Sequence, residues 1–484
     1  MHALALLKTV ISEYLPLVAK QKGRNLFMPG DPRYQPEELK PFLGYDMWAA
    51  FLIIVEWFWL GTLADTGVMP DKHRILLTSQ RLTRLLTRIT TTKQDAVEKS
   101  TKHDILALLQ LMRQYLPKSL RRYLHLGATS YDIICTAYAL ILKLAFTQIF
   151  WPKLKEVDEL WRKKIKQYAN VVQAGRTHLQ TALPATVGSW LANLHHQYID
   201  SAQNAYKLAM AVPGKFTGAV GTSAALKTML NGKEKQAEAI LMNYLGLKPA
   251  EYSTQITPPQ ATARFYFELV LLSGVLGNLG EDIRILQSSQ FGEIISAGSS
   301  SSTMAHKKAN PIAAENNCGM HVNITAEFMK VALTLVSDLQ RDLRWSSVMR
   351  SFSAVMVYGY QQILTTKRLL DSLAIDPARI QKNFQKDSKL VMAELLHLCL
   401  QKKGFSDTHE LVNKKIVPSA ALSGLNLAYE MDRFINSPAD NKKLRHIWKL
   451  TPTSSLDLLK HPEQYIGNAV ELAKSEAENE LKII

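Results

Sequence analysis

Residues 136–170 read TAYALILKLAFTQIFWPKLKEVDELWRKKIKQYAN, and this stretch decides the fold. Its apolar residues recur mostly at helical steps, as at Leu140, Ile141 and Leu144, and lysine and glutamate occupy many of the later positions. Similar stretches follow at about 185–211, 263–289, 312–337 and 348–373. Long helices with short breaks between them predict an all-α protein with a central bundle of long helices.

The most apolar run of the chain lies nearer the N-terminus, at residues 47–64 (MWAAFLIIVEWFWLGTLA), and approaches the length of a membrane span. Glu56 stands at its centre, where a charge would be costly in lipid. The run is therefore interpreted as a helix buried in a large core. Residues 1–25 lack the basic start and the long apolar segment of a signal peptide, and they predict an amphipathic helix.

The chain is basic, with a formal net charge of +16 from 58 Lys and Arg against 42 Asp and Glu. Such a charge would suit nucleic acid or an anionic membrane, but no nucleic-acid motif and no interleaved basic and aromatic stripe occurs. The basic residues are instead spread along the chain. Two interpretations stay open: solvated faces, or an electrostatic funnel for a small polyanionic substrate.

Neither the cysteines nor the histidines are spaced as metal ligands. Cys135, Cys318 and Cys399 form no CxxC pair, and the histidines form no HxxxH or HExxH pattern. The adjacent His195 and His196 point to different sides of a predicted helix. We therefore expect no metal, and the scattered thiols fit the reducing cytoplasm.

A Ser-rich loop between two predicted helices carries the first candidate chemistry. Residues 297–316 read AGSSSSTMAHKKANPIAAEN. On composition alone GSSSS is a flexible linker, but two lysines, Lys307 and Lys308, and Asn310 follow it closely. Nearby positive charge favours an ionised serine, although a hydroxyl is too weak an acid to act unaided. The loop thus predicts a proton acceptor beside a bound anion.

This loop resembles the signature GSSxMPxKxNP of the aspartase/fumarase superfamily, in which the first serine of the pair is the general base and the lysine and asparagine hold a substrate carboxylate. Ala305 replaces the usual proline, and one extra residue precedes Asn310. Two registers are therefore open: Ser301 with Lys307, or Ser302 with Lys308. The ungapped KxNP at Lys308 favours Ser302.

Residues 176–188, RTHLQTALPATVG, resemble the superfamily's RTHxQxAxPxTxG. A lone histidine after a turn is usually structural, but the resemblance makes His178 the general acid that protonates the leaving nitrogen. Thr177 and Gln180 would contact substrate, and Glu315 matches the glutamate that pairs with this histidine. Leu179 and Thr181 depart from the usual Gly and Pro.

Two further stretches are similar to the superfamily's T-x-H-D and HxGxTSxD, at residues 101–104 and 124–133. Taken singly, each of their residues could be a satisfied core or loop residue. Together, in the family's chain order, they imply a set that binds substrate and supports the acid: His103, Asp104, His125, Thr129, Ser130 and Asp132.

Within the superfamily the chain resembles the adenylosuccinate lyases over roughly residues 30–372. Four matches carry this: Arg33-Tyr34 near the N-terminus, GKFTGAVG at 214–221, YSTQITP at 252–258 and QRDLRWSSVMR at 340–350. The resemblance implies a phosphate site from Arg33 and Tyr34, a succinyl contact from Gln255, and a grip on substrate and phosphate from Arg341, Ser346 and Arg350. Thr257 and Trp345 replace the usual Glu and Asp.

The resemblance implies three helical domains, at 1–133, 134–372 and 373–484, in a homotetramer with a shared helical core and shared active sites. It also implies a lyase without cofactor that releases fumarate from adenylosuccinate to give AMP, and from SAICAR to give AICAR, in purine biosynthesis. Alternatives are a sister lyase or cycloisomerase, a lyase for another succinyl adduct, or a non-catalytic structural protein on the same scaffold.

Overall fold

We describe the fold from a computed structural model that defines residues 7–15, 34–295, 310–341, 346–437 and 442–483. Five residues of the predicted site lie outside the described residues: Arg33, Ser301, Ser302, Lys307 and Lys308. Within the described ranges the chain is mostly helical, which confirms the predicted all-α class.

The N-terminal region places short helices around one long buried helix. The helices are α1 (Lys40–Leu43), α2 (Trp48–Asp65), α3 (Asp71–Arg74), α4 (Ser79–Arg88), α5 (Thr91–Thr101), α6 (Asp104–Tyr115) and α7 (Lys118–Arg121), with 3-10 turns at Glu37–Leu39 and Tyr45–Met47 and a π-helical turn at Val10–Tyr14. All residues from 47 to 60 are buried, so the apolar run around Glu56 is the core helix that the sequence predicts.

Long helices form the central bundle, close to the predicted stretches. Helix α8 (Ser130–Ala145) continues through a π-helical turn (Phe146–Phe150) into α9 (Trp151–Tyr168), and the other long members are α10 (Val187–Ala211), α13 (Pro259–Gln287), α14 (Ile312–Leu333) and α16 (Ala354–Ser372). Short helices lie between them: α11 (Ala224–Met229), α12 (Glu234–Leu245) and α15 (Ser346–Met349). Helix α13 packs on α10 and α14, and α14 packs on α16.

Two stretches, Tyr45–Asp65 and Ser130–Tyr168, are long and apolar enough to cross a membrane. Their most apolar windows are 94% and 72% buried inside the fold. Burial against the rest of the chain is what a core helix of a large domain requires, and it accounts for the apolar composition of both stretches.

The C-terminal region has a small core of its own. Its helices are α17 (Pro377–Val391), α18 (Ala393–Lys402), α19 (Thr408–Leu411), α20 (Val417–Ser423), α21 (Leu427–Ile435), α22 (Lys442–Lys449), α23 (Thr453–Lys460) and α24 (Ala469–Ala477), with a π-helical turn at Val412–Ile416 and a 3-10 turn at Pro462–Gln464. Apolar residues between 392 and 459 pack together, whereas Ala473, Ala477 and Leu481 belong to the main core. The last helix thus returns to the central bundle; the three-domain division stays a prediction.

A β-hairpin stands where the sequence analysis expects only a break between helices. Strands β1 (Val172–Thr177) and β2 (Gln180–Thr186) pair antiparallel, and a shorter ladder joins β3 (Ile294–Ile295) to β4 (Ala374–Ile375). The strand pattern is hard to read from sequence because the register shifts between Ala174 and Arg176. Gly175 permits this shift, since a Cβ there would lie 2.5 Å from the Leu183 carbonyl oxygen.

Candidate active site

The predicted acid, His178, occupies the tip of the β-hairpin. Thr177 pairs with Gln180, which leaves His178 and Leu179 as a two-residue turn. Both turn residues are left-handed, with φ of +55° and +57°, as a type I′ turn requires. All four side chains are exposed. The hairpin therefore presents the imidazole outwards from its own chain, with the predicted substrate contacts Thr177 and Gln180 on either side.

Strand β1 is tied, one residue before the tip pair, to the segment that precedes the Ser-rich loop. Arg176 makes a two-pronged ion pair with Glu293, which is 1% exposed, and lies over the Phe291 ring at 4.5 Å. Asn383 Nδ2 also donates to Glu293 at 2.7 Å. Two parallel charge-assisted bonds give Arg176 a fixed geometry. Arg176 thus has a structural role here, and its partner Glu293 was not identified from the sequence.

A second group of predicted residues meets in space from three separate parts of the chain. His103 Nε2 and Ser130 Oγ lie 3.3 Å apart, and Arg350 Nη2 donates to Asp104 Oδ2 at 3.4 Å. His103 is the N-cap of helix α6, and its Nδ1 accepts the backbone N–H of Leu106 at 3.4 Å. We call these four residues, His103, Asp104, Ser130 and Arg350, the α6 cluster.

Glu98, at the end of helix α5, adjoins the α6 cluster and was missed by the sequence analysis. Burial and the negative charge of Asp104 raise the pKa of this carboxyl, although Arg350 opposes them. The pKa of Arg350 is itself raised: burial works to lower it, but Tyr138, Asp104 and Glu98 outweigh burial. The cluster therefore holds a charged guanidinium among acidic groups, and no pattern in the sequence around Glu98 signals this.

The glycine-rich turn at 214–221 holds the 252–258 loop in place through a buried ion pair. Asp132, fully buried, forms a capping box with Thr129, and its Oδ1 accepts the backbone N–H of Thr217 at 3.0 Å. The ammonium of Lys215, also fully buried, lies 2.7 Å from Asp132 Oδ1 and donates to the Gln255 carbonyl oxygen at 2.9 Å. Thr129 is therefore a helix cap in this chain, and Lys215 holds the loop that carries Gln255.

His125 lies just before that capping box and contacts a residue of the most apolar helix. Its Nδ1 is 2.6 Å from Glu56 Oε1, and its side chain is 17% exposed. From the sequence alone, Glu56 indicates only that the apolar run is not a membrane span. The signal that could have identified Glu56 as the partner of a polar side chain is its position as a lone acid within the apolar run of helix α2.

Arg341 and Ser346 line one pocket with Tyr131 and Thr257. The backbone N–H of Gln255 donates to the Gln340 carbonyl oxygen at 3.2 Å, which sets the 252–258 loop against the segment that carries Arg341. Arg341 adopts a left-handed φ of +79°. The predicted Arg341 and Ser346 thus line one pocket, and the loop that carries Gln255 lies beside them.

Three further predicted residues are found apart from these contacts. Tyr34 packs partly buried against the main core. Asn310 lies just before helix α14, and Glu315 is exposed in the first turn of that helix. Within the described part of the chain, no hydrogen bond or ion pair joins Glu315 to His178. Within the described part of a single chain, the predicted acid His178 and its predicted partner Glu315 are therefore not paired with each other.

Comparison with known families gives a match over half of the chain. Residues 76–326 match the model of a lyase family. The adenylosuccinate lyase of Pyrococcus horikoshii is 31% identical over 454 residues, covering 92% of this chain and 96% of that protein. The adenylosuccinate lyase of Legionella pneumophila is 27% identical over 466 residues, covering 93% and 98%.

Solved structures share the fold at lower identity. A fumarate lyase from a Mesorhizobium species superposes with a TM-score of 0.76 at 19% identity, covering 94% of this chain and 99% of that one. The 3-carboxy-cis,cis-muconate lactonizing enzyme from Pseudomonas putida gives 0.75 at 21% identity, covering 93% and 98%. At such identity these likenesses concern the fold alone.

Proposed function

This chain belongs to the adenylosuccinate lyase family within the aspartase/fumarase superfamily, and from that premise we propose that it eliminates fumarate from adenylosuccinate to give AMP. We extend the proposal to the related succinyl adduct SAICAR, which would give AICAR. β-Elimination needs only an acid, a base and groups that stabilise charge, so the proposed enzyme requires no metal or redox cofactor and works in the cytoplasm.

The α6 cluster is the observation that carries the proposal. It gathers residues from three predicted substrate-binding segments, and Arg350 is bonded to Asp104 across 246 positions of sequence. A guanidinium fork is suited to phosphate, because it can donate two parallel charge-assisted bonds to its oxygens. Arg341 and Ser346 line the pocket nearby. A substrate that carries both phosphate and carboxylates matches this set of donors.

The proton transfers are assigned to residues from different segments. Ser302, or Ser301 in the alternative register, would remove a proton from the carbon beside a substrate carboxylate. Lys308 or Lys307, with Asn310, would stabilise the negative charge that develops. His178 would then protonate the departing nitrogen, since imidazole is the side chain best suited to give up and take back a proton near neutral pH. Glu315 is proposed to orient His178.

We propose that a homotetramer completes each site. The hairpin tip points His178 away from its own chain, and the exposed Glu315 side chain, which makes no hydrogen bond to the described residues, is available to a neighbouring copy. Large apolar side chains are exposed on α13 and α14: Phe267, Leu271, Val322, Met329 and Leu333. Exposed apolar area of this kind is typical of subunit interfaces. Light scattering should give the mass of four chains; an active monomer would contradict the proposal.

The direct test is the ultraviolet assay of fumarate release from adenylosuccinate, with SAICAR and argininosuccinate in parallel. We expect turnover of the first two. Turnover of another succinyl adduct alone would favour a repurposed lyase, an alternative that rests on four departures from the family's motifs: Leu179, Thr257, Ala305 and Trp345. Inactivity on every adduct would favour a structural protein. The variants Ser301→Ala and Ser302→Ala then identify the base. Wild-type rates in both variants would show that neither serine is the base.

A further inference from the structure

Glu56 is a carboxylate in the middle of the most apolar helix of the chain. Its side chain is fully buried in α2, between Val55 and Trp57, which are buried as well. An ionised carboxylate costs several kcal/mol to bury, by order of magnitude, unless it is paired and hydrogen-bonded. Core packing alone would favour an apolar residue here. A carboxylate at this position therefore needs a partner that forms a hydrogen bond with it.

That partner is His125, in the loop between α7 and α8. Nδ1 of the ring is 2.6 Å from Glu56 Oε1, within charge-assisted hydrogen-bond distance. His125 has a left-handed φ of +60°, an uncommon conformation for a non-glycine residue. Within the described residues, His125 Nε2 makes no hydrogen bond and Glu56 Oε2 has no partner either. The contact fixes one side of the ring and leaves the other nitrogen available.

We propose that Glu56 is a positioning residue that holds the charged His125 ring so that its Nε2–H donates to an anionic oxygen of the substrate. The inference rests on the proposed function. Glu56 itself touches no substrate; it acts through His125. The oxygen belongs to a carboxylate or to the phosphate, which share the same charge and the same need for a donor. Thr129 and Ser130 follow His125 closely in the chain, and Ser130 belongs to the α6 cluster.

The charges around His125 support a ring that stays protonated. Burial, the largest influence, lowers the pKa of His125, but the hydrogen bond and charge of Glu56 and the charge of Asp132 outweigh it and raise the pKa. Arg113, on helix α6, opposes them. Asp132 is itself paired with Lys215. Because the pKa is raised, the imidazolium is present below the ordinary value near 6.5 and is lost only as the pH rises through the higher one.

Glu56→Gln tests this, because the amide keeps the volume and can still accept from Nδ1–H but removes the negative charge. We expect kcat/KM at pH 8 to fall about tenfold or more, because removing the carboxylate charge weakens a charge-assisted hydrogen bond to the ring. The alkaline limb of the pH profile should move to lower pH. Glu430→Gln is the matched control: this glutamate is also buried and accepts from Ser419 and Ser423, but it lies in the C-terminal core.

Thermal unfolding separates positioning from stability. If Glu56→Gln lowers the melting temperature and leaves the pH profile unchanged, Glu56 is structural and the inference is overturned. The double variant decides whether Glu56 acts through His125. In a His125→Ala background, Glu56→Gln should cause no further loss of kcat/KM; a full additional loss would contradict the proposal.

Binding of the two products separates the two kinds of oxygen. Calorimetry with AMP probes the phosphate, and calorimetry with fumarate probes the carboxylates. We expect Glu56→Gln to weaken one of them about tenfold at pH 8. If wild type fails to turn over adenylosuccinate, the proposed function is wrong, and these affinities still decide the inference. Unchanged affinity for both products would overturn it.

Discussion

Two histidines with carboxylate partners, His195 and His125, differ in how many carboxylates they contact. His195 is fully buried on helix α10; its Nε2 lies 2.8 Å from Asp158 Oδ1 and its Nδ1 lies 2.7 Å from Glu476 Oε1. His125 is partly exposed and contacts the single carboxylate of Glu56. Both rings have raised pKa values, but only His125 has a nitrogen left over within the described residues.

The difference indicates what each ring is for. His195 joins three helices, because Asp158 lies on α9 and Glu476 on the returning helix α24. The C-terminal segment is bound further where the backbone N–H of Leu481 donates to Asp158 Oδ2 at 3.3 Å. A ring with both nitrogens used has nothing left to offer a substrate. His195 therefore stabilises the fold, whereas His125 and the hairpin-tip His178 can take part in chemistry.

The largest effect is expected at His178, whose imidazole, unlike that of His195, makes no hydrogen bond within the described part of its chain. His178→Ala should lower kcat about 1,000-fold, because a general acid typically contributes 10²–10⁴-fold. The melting temperature should change little, since the side chain is exposed. Fumarate release and thermal unfolding, measured on the same preparation, check both. A large loss of stability with normal turnover of the folded fraction would reverse the assignment.

The second-largest effect is expected at His195 and concerns the stability of the fold. His195→Ala leaves Asp158 and Glu476 buried or partly buried without their shared cation, which should cost about 3 kcal/mol. Turnover per folded enzyme should stay near wild type. His196→Ala is the matched control, because His196 contacts the same Glu476 at 3.2 Å but is 73% exposed. Thermal unfolding should show a large drop for the first variant and little change for the second.

The loss of stability in His195→Ala should depend on pH, and the direction of the His195 pKa shift determines how. Burial, the largest influence, lowers the pKa of His195, but its bonds to Asp158 and Glu476 outweigh it and raise the pKa. A raised folded-state pKa gives stability that is fully present below the unfolded value, near 6.5, and is lost as the pH rises through the folded value. The gap between wild type and His195→Ala should therefore narrow above pH 6.5; a gap that widens would contradict a charged ring.

The helices of this fold could be predicted, and the hairpin could not, for one physical reason. Apolar residues recur through stretches of 19 to 29 residues in α10, α13, α14 and α16, and apolar stretches of this length favour helices over strands. Strands β1 and β2 have only six and seven residues, and a register shift interrupts them. The tip that carries His178 was therefore interpreted as a plain break between helices.

The candidate site shows a similar limit. Motif resemblance named the residues of the α6 cluster, but only the fold shows that Arg350 and Asp104 are bonded. Glu56 was missed because it contacts His125 across 69 positions of sequence, and Glu98 was missed because it belongs to no motif. Asp132 and Lys215 are fully buried against each other, which spacing alone cannot indicate. Partners that are distant in sequence are set by helix packing.

The smallest effect concerns Leu179, next to His178, and it sharpens the contrast between the tip and the clamped His195. A left-handed leucine costs about 1–2 kcal/mol, and glycine removes that cost while adding freedom to the unfolded chain. Leu179→Gly should therefore stabilise the chain by less than about 1 kcal/mol, a small rise in melting temperature. Leu179→Asn, which also tolerates this conformation, is the matched control and should behave alike. If both variants lose stability, the leucine, 58% exposed in its own chain, is held by contacts from another copy. The tip would then resemble His195 in being fixed on both sides, with the second side supplied by a neighbouring subunit.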